Sequence, residues 1–287
     1  MRPLRPFNAI MGADPADDPL HHFETSWLFP PFILGALRGL ISLYCFVTII
    51  FIFAWQGAHD DNISNRRSFS YFTHLTYWGV AFYFLFAAIH TLLYASRGRS
   101  VLFDKWPRVL RALHSLFYTT ITTFPFLVLA VYWAMLYEGP WFPATFQAWT
   151  NISQHAMPPF FSLFEILFST IPPSPPLHIP FLILILAFYL ALAYITYASQ
   201  GFYTYSFLDP GPGHTHSARV AGYSFGILAA AIVIFGIVWV ITWARQRVVG
   251  GRKKTKWATK GVAGAGRSGN GNGNGWDAEA VDLAERK

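Results

Sequence analysis

Cysteine is almost missing from this chain, because Cys45 is the only one among 287 residues. A single thiol excludes an intrachain disulfide framework and a cysteine-based metal site. Charged residues are also scarce, at 12% of the sequence against 54% hydrophobic residues, which is too little charge for a soluble domain of this length. The sequence has no phosphate-binding loop, dinucleotide fingerprint or HExxH motif, so it gives no motif for nucleotide or zinc chemistry.

Long apolar runs dominate the sequence instead. Each is about 20 residues or longer, enough to cross the hydrocarbon core of a bilayer as a helix. The runs lie at 32–56, 70–95, 107–136, 150–170, 177–199 and 218–243. Unpaired backbone cannot face lipid, and the alternating pattern of a membrane barrel is missing. The sequence therefore predicts an all-α fold, a polytopic membrane helix bundle of about six transmembrane helices over residues 31–245.

The basic residues predict how this bundle sits in the membrane. Cutting the chain at its apolar runs places 17 of the 21 Lys and Arg residues on one side. The positive-inside rule makes that side the cytosol and puts both termini there. Arg38 lies inside the first run, and we expect it to snorkel toward the near interface. The predicted location is a multi-pass protein of the endoplasmic reticulum, another endomembrane or the plasma membrane.

Two segments flank the predicted transmembrane domain. Residues 1–30 form a cytosolic N-terminal arm, and residues 246–287 form a cytosolic tail that is first basic and then rich in Gly and Asn. The Gly/Asn-rich part has nothing to bury and is predicted to be disordered. The basic part acts as a topology signal or binds anionic lipids of the cytosolic leaflet. The net charge of +7 therefore predicts membrane contact rather than a nucleic-acid partner.

Polar residues inside two apolar runs are candidates for function, because they are costly in a membrane. In the second run, Thr73, Thr76 and Tyr77 share one helix face. In the fourth run, a polar stripe shares one face in the same way, and a proline pair next to it predicts a kink. This stripe consists of Asn151, His155, Ser162 and Glu165. Such stripes line a cavity or only hydrogen-bond neighbouring helices, and the residues alone leave both readings open.

The predicted topology brings part of these two faces to one depth. Thr73 and His155 both lie near the outer starts of spans that run in the same direction, which permits a hydroxyl–imidazole pair. A threonine hydroxyl needs a base within about 2.6–3.2 Å to act as a nucleophile, and histidine is the natural base near neutral pH. The loop after the fifth run returns to the same side with Tyr203 and Tyr205.

Three segments at these positions resemble the androgen-induced protein family, which is also named after the androgen-dependent TFPI-regulating protein. The segments are YFTHLTYW, NISQHAMPPFFSLFEI and GFYTYSFLDPGPG. Their spacing and the six-span pattern together cover most of residues 30–245. The resemblance implies a multispanning hydrolase of fatty acid esters of hydroxy fatty acids, with Thr73 as nucleophile and His155 as the histidine. The chain departs from the family pattern in its doubled prolines after His155 and in TYAS before the third segment.

We expect no cofactor and no metal, because the sequence has no carboxylate–histidine cluster at ligand spacing. The resemblance implies a lipid ester as the partner molecule. Thr76 is the rival nucleophile, and the residues weighed for substrate or oxyanion contacts are Asn151, Thr76, Tyr203 and Tyr205. Glu165 lies about 15 Å deeper than His155 at 1.5 Å per residue, so we expect it to satisfy another helix or the cavity floor.

Two other classes stay open from the sequence. One is a haem electron carrier, whose axial ligands would come from the intramembrane histidines His74, His90, His114 and His155. The other is a transporter or a non-catalytic membrane scaffold, which the sparse charge inside the spans favours.

Overall fold

A computed structural model describes residues 6–14, 16 and 18–250 of the chain. These residues form ten α-helices and two π-helical segments, and their only β-type pairing is an isolated bridge between Ser26 and Ser169. The α-helices are α1 (Phe7–Ile10), α2 (Pro31–Ala58), α3 (Asn62–Arg67), α4 (Phe72–Arg97), α5 (Val101–Lys105), α6 (Arg108–Val131), α7 (Thr145–Asn151), α8 (Met157–Phe168), α9 (His178–Gln200) and α10 (Ser217–Gly250). The π-helical segments are Tyr132–Leu136, which extends α6, and Ile152–Ala156, which joins α7 to α8.

The structure confirms the predicted helical membrane bundle. Among the described residues, five helices are long and apolar enough to cross a membrane: α2, α4, α6 with its π-helical extension, α9 and α10. The fourth predicted run forms a segmented helix instead, because the π-helical turn at Ile152–Ala156 interrupts it before Pro158 and Pro159. The chain is therefore a multi-pass helical membrane protein.

Local sequence explains several helix boundaries. Pro31 opens α2 at a position where its missing N–H is not needed. Gly98 and Gly201 end α4 and α9 with φ of 67° and 74°, the left-handed conformation that a residue without Cβ adopts at little cost. The last helix runs to Gly250, a few residues into the predicted tail, and the remainder of that tail lies outside the described residues.

The core of the bundle is built on the antiparallel pair α2 and α4. Gly35 faces Leu92 so closely that an added Cβ would lie 2.8 Å from the leucine side chain. Further along the pair, the Ser42 hydroxyl donates to the Ala81 carbonyl at 3.0 Å. Helices α6 and α8 pack on this pair and α10 packs on both of them, whereas α9 buries only His178, Leu182, Ala193 and Thr196. The side of the molecule at α9 is therefore loosely packed.

The described residues between 6 and 30 are folded against one end of the bundle, here called the arm end. Phe23 is buried there, and the Ser26 hydroxyl donates to the Phe168 carbonyl at 2.5 Å. The Trp27 indole N–H donates to the Leu167 carbonyl at 2.6 Å. These bonds cover carbonyl groups at the C-terminus of α8, which have no partner within their own helix. The opposite end of the bundle, called the loop end, carries residues 201–216.

Candidate active site

A cavity of about 760 Å³ opens toward the loop end. Its walls come from α6, α9, α10, the start of α4 and residues 201–216, and they are mostly aliphatic and aromatic. Six tyrosines line it: Tyr132, Tyr189, Tyr194, Tyr197, Tyr203 and Tyr205. A largely apolar space of this size with a few polar groups suits a lipid-like ligand. We call it the lipid cavity.

Thr73 lies on the wall of the lipid cavity, in the first turn of α4, and is 8% exposed. Hydrogen bonds from α9 fix the chain just before this turn, because Tyr189 donates to the Ser70 carbonyl at 3.0 Å and Thr196 donates to the Ser70 hydroxyl at 3.1 Å. The Thr73 hydroxyl lies within hydrogen-bonding reach of the Tyr205 phenol. Because Thr73 is on the cavity wall, a ligand in the cavity lies next to this hydroxyl.

Tyr205 reaches the same turn from the loop end. Its phenol oxygen accepts a hydrogen bond from the Phe72 backbone N–H at 3.2 Å, which is one of the N–H groups that a helix start leaves unpaired. Burial raises the pKa of the Tyr205 phenol, so the group stays protonated at neutral pH. The Thr73 and Tyr189 hydroxyls lie within hydrogen-bonding reach of this phenol, so Tyr205 places a phenolic proton beside Thr73.

His155 lies in the π-helical segment between α7 and α8. Its Nδ1 is 3.1 Å from the Asn151 carbonyl oxygen, which can only accept, so Nδ1 carries the proton and Nε2 keeps a free lone pair. The ring stacks on Tyr132, with centroids 3.7 Å apart and planes 23° apart. The Asn151 side-chain amide donates to the Tyr132 hydroxyl. Asn151 therefore orients both members of the stack.

The two π-helical segments meet at this stack, because Tyr132 comes from one and His155 from the other. Such segments are rare and occur frequently at functional sites. Tyr132 was missed by sequence reasoning, since an aromatic residue near a run end is ordinarily an interface ring. The only signal for it was its position at the same predicted depth as His155.

His155 and Thr73 border different cavities. His155 lines a second space of about 470 Å³, which also opens at the loop end and has amide, hydroxyl and carboxylate groups in its wall. Tyr132 lines the lipid cavity together with Thr73, so the Tyr132–His155 stack stands between the two spaces. In the described residues no hydrogen bond joins Thr73 to His155. We call the second space the polar cavity.

The remaining predicted site residues fall into separate places. Thr76 borders a third, apolar space of about 330 Å³ between α4, α6 and α9, and its buried hydroxyl has no partner among the described residues. Tyr203 lies on the wall of the lipid cavity and stacks on Tyr197 with centroids 4.0 Å apart. Asn151 lines the polar cavity rather than the lipid cavity, so its amide does not face Thr73 across the lipid cavity.

A buried ion pair lies near the arm end and corrects one expectation. Arg38 does not snorkel to the interface: it is fully buried and forms a two-pronged salt bridge with Glu165. Its guanidinium also donates to the Phe23 carbonyl at 2.8 Å and to the Thr91 hydroxyl at 2.5 Å. An unpaired charge is costly to bury, but Glu165 lies within reach of Arg38 and compensates its charge. Arg38 therefore stays inside the bundle instead of extending to the interface.

Glu165 thus satisfies another helix, as expected from its depth. It accepts a third hydrogen bond from the Tyr83 hydroxyl at 3.1 Å. The sequence does carry a signal for this pair. Arg38 and Glu165 are isolated charged residues in two different apolar runs, and both lie near the same predicted side of the membrane. Two such residues share a depth and can pair across helices.

The histidines at the arm end do not resemble haem ligands. The rings of His90 and His114 lie with centroids 4.8 Å apart, and Phe103 and Trp106 pack against both. These aromatic contacts occupy the space that a porphyrin would need. His90 also lies 3.7 Å from the Glu24 carboxylate, which accepts from Ser100. Across the described residues, no group of three His, Cys, Asp or Glu side chains is arranged as a metal site.

No protein-family model matches this chain, and no curated protein or solved structure is similar to it at a significant level. The resemblance to the androgen-induced protein family therefore stays a prediction carried by the three sequence segments alone.

Proposed function

We propose that the protein is an integral membrane hydrolase of lipid esters, either fatty acid esters of hydroxy fatty acids or similar esters. The observation that carries this proposal is the position of the Thr73 hydroxyl, which is open to a largely apolar cavity of about 760 Å³. Two further features support it. His155 presents an unprotonated Nε2 from the neighbouring helix, and Tyr205 offers a phenolic proton beside Thr73.

The proposed reaction has two steps. In the first, the Thr73 oxygen bonds to the ester carbonyl carbon, His155 takes the hydroxyl proton, and the bond from that carbon to the alcohol oxygen breaks. The alcohol leaves with the proton from His155. In the second, water attacks the acyl-threonine with His155 as base, which releases the fatty acid and restores the Thr73 hydroxyl. The Tyr132–His155 stack shifts in this scheme, since catalytic hydrogen bonds often form only when substrate is bound.

Tyr205 is assigned the oxyanion in this proposal. Its oxygen is held by the Phe72 N–H, and its proton can donate toward negative charge that develops next to Thr73. Removing one oxyanion donor typically lowers the rate by about 10²–10³-fold. Tyr203, which stacks on Tyr197, is assigned to the cavity wall.

The proposed setting follows the charge pattern of the sequence. Both termini lie in the cytosol, so the loop end faces the lumen or the cell exterior, in the endoplasmic reticulum, another endomembrane or the plasma membrane. The lipid substrate enters from the bilayer, and the basic tail binds anionic lipids. Fusing a reporter to each terminus and measuring its protease protection in sealed vesicles tests this orientation; protected termini contradict it.

The direct test combines turnover with covalent labelling. Membranes carrying wild type, Thr73→Ala, Thr73→Ser and His155→Ala are assayed with a fatty acid ester and a fluorophosphonate probe. We expect Thr73→Ala to abolish labelling and both alanine variants to lower turnover by about 10³-fold or more, since both residues belong to one unit. Thr73→Ser keeps a hydroxyl in the same place and should retain part of the activity.

Thr76→Ala is the matched control, because Thr76 lies one turn away on α4 and borders a different cavity. Loss of labelling in Thr76→Ala but not in Thr73→Ala would move the nucleophile to Thr76. Full turnover in Thr73→Ala and in Thr76→Ala would refute threonine catalysis.

A non-catalytic lipid carrier is the second candidate. The observation that favours it is the separation of Thr73 and His155 into different cavities, with no bond between them in the described chain. The same experiment distinguishes the two classes. A carrier binds the ester at the lipid cavity, releases it unchanged and is not labelled by the probe.

A further inference from the structure

The polar cavity is not used by the reaction as described, although His155 forms part of its wall. Its volume of about 470 Å³ lies in the range of small-molecule sites. Several polar side chains line it: Gln56, Gln147, Thr150, Asn151, Gln154 and Asp61. It therefore offers hydrogen-bonding capacity directly beside the proposed base.

One atom in this wall lacks a partner. Asn151 is 7% exposed, and its side-chain oxygen is buried with no hydrogen bond within the described structure. Its amide nitrogen is already committed to the Tyr132 hydroxyl. This oxygen has almost no accessible surface, so a ligand in the cavity meets the more exposed polar groups of the wall, such as Gln147 and Asp61. Both side chains accept hydrogen bonds from O–H or N–H groups.

The charge of the polar cavity's wall further restricts the chemical class of ligand that it can hold. Asp61 is the only carboxylate in the described wall of the polar cavity, and no Lys or Arg accompanies it. It accepts a single bond, from the Ser64 N–H at 3.2 Å, so it keeps free acceptor capacity. A ligand carboxylate in this cavity would meet a like charge without a compensating cation, whereas a neutral hydroxyl would find an acceptor.

We propose that the polar cavity holds the alcohol part of the ester and that this alcohol is neutral and polyhydroxylated, as in a monoacylglycerol. This inference rests on the proposed hydrolase function. The acyl chain occupies the lipid cavity, the ester lies at the Tyr132–His155 stack, and the alcohol leaves into the polar cavity toward the loop end. Neither Thr73 nor His155 lines the third cavity, at Thr76. That cavity therefore offers no apolar space for the second long chain of an ester whose carbonyl lies beside these two residues.

The test compares two esters that share an oleoyl group. One is 1-oleoylglycerol, and the other is an oleoyl ester of a hydroxystearic acid with a free carboxylate. The protein is purified at full length and placed in lipid nanodiscs. We expect kcat/KM to be about tenfold or more higher for the glycerol ester, because the hydroxystearate ester lacks the glycerol hydroxyl groups and brings a carboxylate close to Asp61.

The variant Asp61→Asn removes the negative charge of this residue but keeps its size and shape, so it tests the effect of the charge alone. Asparagine caps the start of α3 as well as aspartate does, so the fold is kept while the negative charge is removed. We expect the rate on the carboxylate-bearing ester to rise about two- to fivefold relative to the glycerol ester, the range for an exposed ionic contact. The matched control is Asp104→Asn, an exposed residue on α5 at the arm end, which should leave the ratio as in wild type.

The outcomes are distinct. Equal or faster cleavage of the hydroxystearate ester, or an unchanged ratio in Asp61→Asn, overturns the assignment of the alcohol while Thr73-dependent turnover leaves the hydrolase proposal standing. Turnover of both esters that persists in Thr73→Ala and in Thr76→Ala, or no turnover of either ester by wild type, overturns the hydrolase proposal and this inference with it.

Discussion

The buried salt bridge between Arg38 and Glu165 makes a quantitative prediction about stability. Both side chains are fully buried, and the pair sits among α2, α4, α8 and the arm. Replacing Glu165 by Leu leaves the Arg38 guanidinium with only the Phe23 carbonyl and the Thr91 hydroxyl. Removing one partner of a buried pair costs about 3–5 kcal/mol. For a domain of about 200 residues, this lowers Tm by roughly 6–20 °C.

The double variant Arg38→Met/Glu165→Leu should be more stable than either single variant. It removes both charges, so no uncompensated ion stays buried, and the Thr91 hydroxyl keeps its bond to the Ala87 carbonyl at 2.7 Å. What is lost is a partner for the Phe23 carbonyl and the acceptor of the buried Tyr83 hydroxyl, each worth about 1–3 kcal/mol. The expected coupling energy is therefore at least about 2 kcal/mol, well above the additivity error of distant sites.

Thermal unfolding in detergent, followed by size-exclusion chromatography of the remaining monodisperse protein, measures these differences. Arg99→Met is the matched control, because Arg99 is exposed beyond the end of α4; it should change stability by less than about 0.5 kcal/mol. A Glu165→Leu variant as stable as wild type, or a double variant whose loss equals the sum of the single losses, would refute the reasoning.

Three further variants test the packing of the bundle and of its arm. Gly35→Ala places a methyl group 2.8 Å from the Leu92 side chain and 3.3 Å from its backbone nitrogen, so it should cost about 1–3 kcal/mol in thermal unfolding. Gly222→Ala meets nothing within 4 Å on α10 and should stabilise by up to about 1 kcal/mol through helix propensity; equal effects of the two would contradict the close approach of α2 and α4. Trp27→Phe keeps an aromatic ring but removes the bond to the Leu167 carbonyl, so it should loosen the arm by about 1 kcal/mol and speed its cleavage in limited proteolysis, without lowering turnover at the loop end.

Much of the fold was predictable because lipid imposes a simple rule on sequence. Long apolar runs must become helices, and the runs at 32–56, 70–95 and 177–199 correspond to α2, α4 and α9 within a few residues. The π-helical segments were not predictable from the sequence. A π-helical turn contains about one residue more than an α-helical turn, and the hydropathy of the segment is the same in both. The fourth run was therefore expected to be a helix kinked at its prolines, whereas its interruption precedes Pro158 and contains His155.

The candidate site was only partly accessible to sequence reasoning. Counting spans correctly predicts that the loop after α9 returns to the start of α4, where the Tyr205 phenol meets the Phe72 N–H. Which cavity each side chain borders depends on rotations of whole helices, and those follow from packing. Thr73 and His155 consequently lie at the same end of the bundle but face different spaces, a distinction that hydrophobic periodicity does not carry.

The docking of the arm imposes an order on assembly during synthesis. Trp27 is made long before Leu167, whose carbonyl binds it, because the two residues are separated by 140 positions. Thr25 likewise waits for Thr170, which is 145 positions away. Until α8 has been made and inserted, the surface of the arm that is later buried has no counterpart. Closing the arm end is therefore a late event, and a chain that stops before Phe168 has a complete arm with no place to bind.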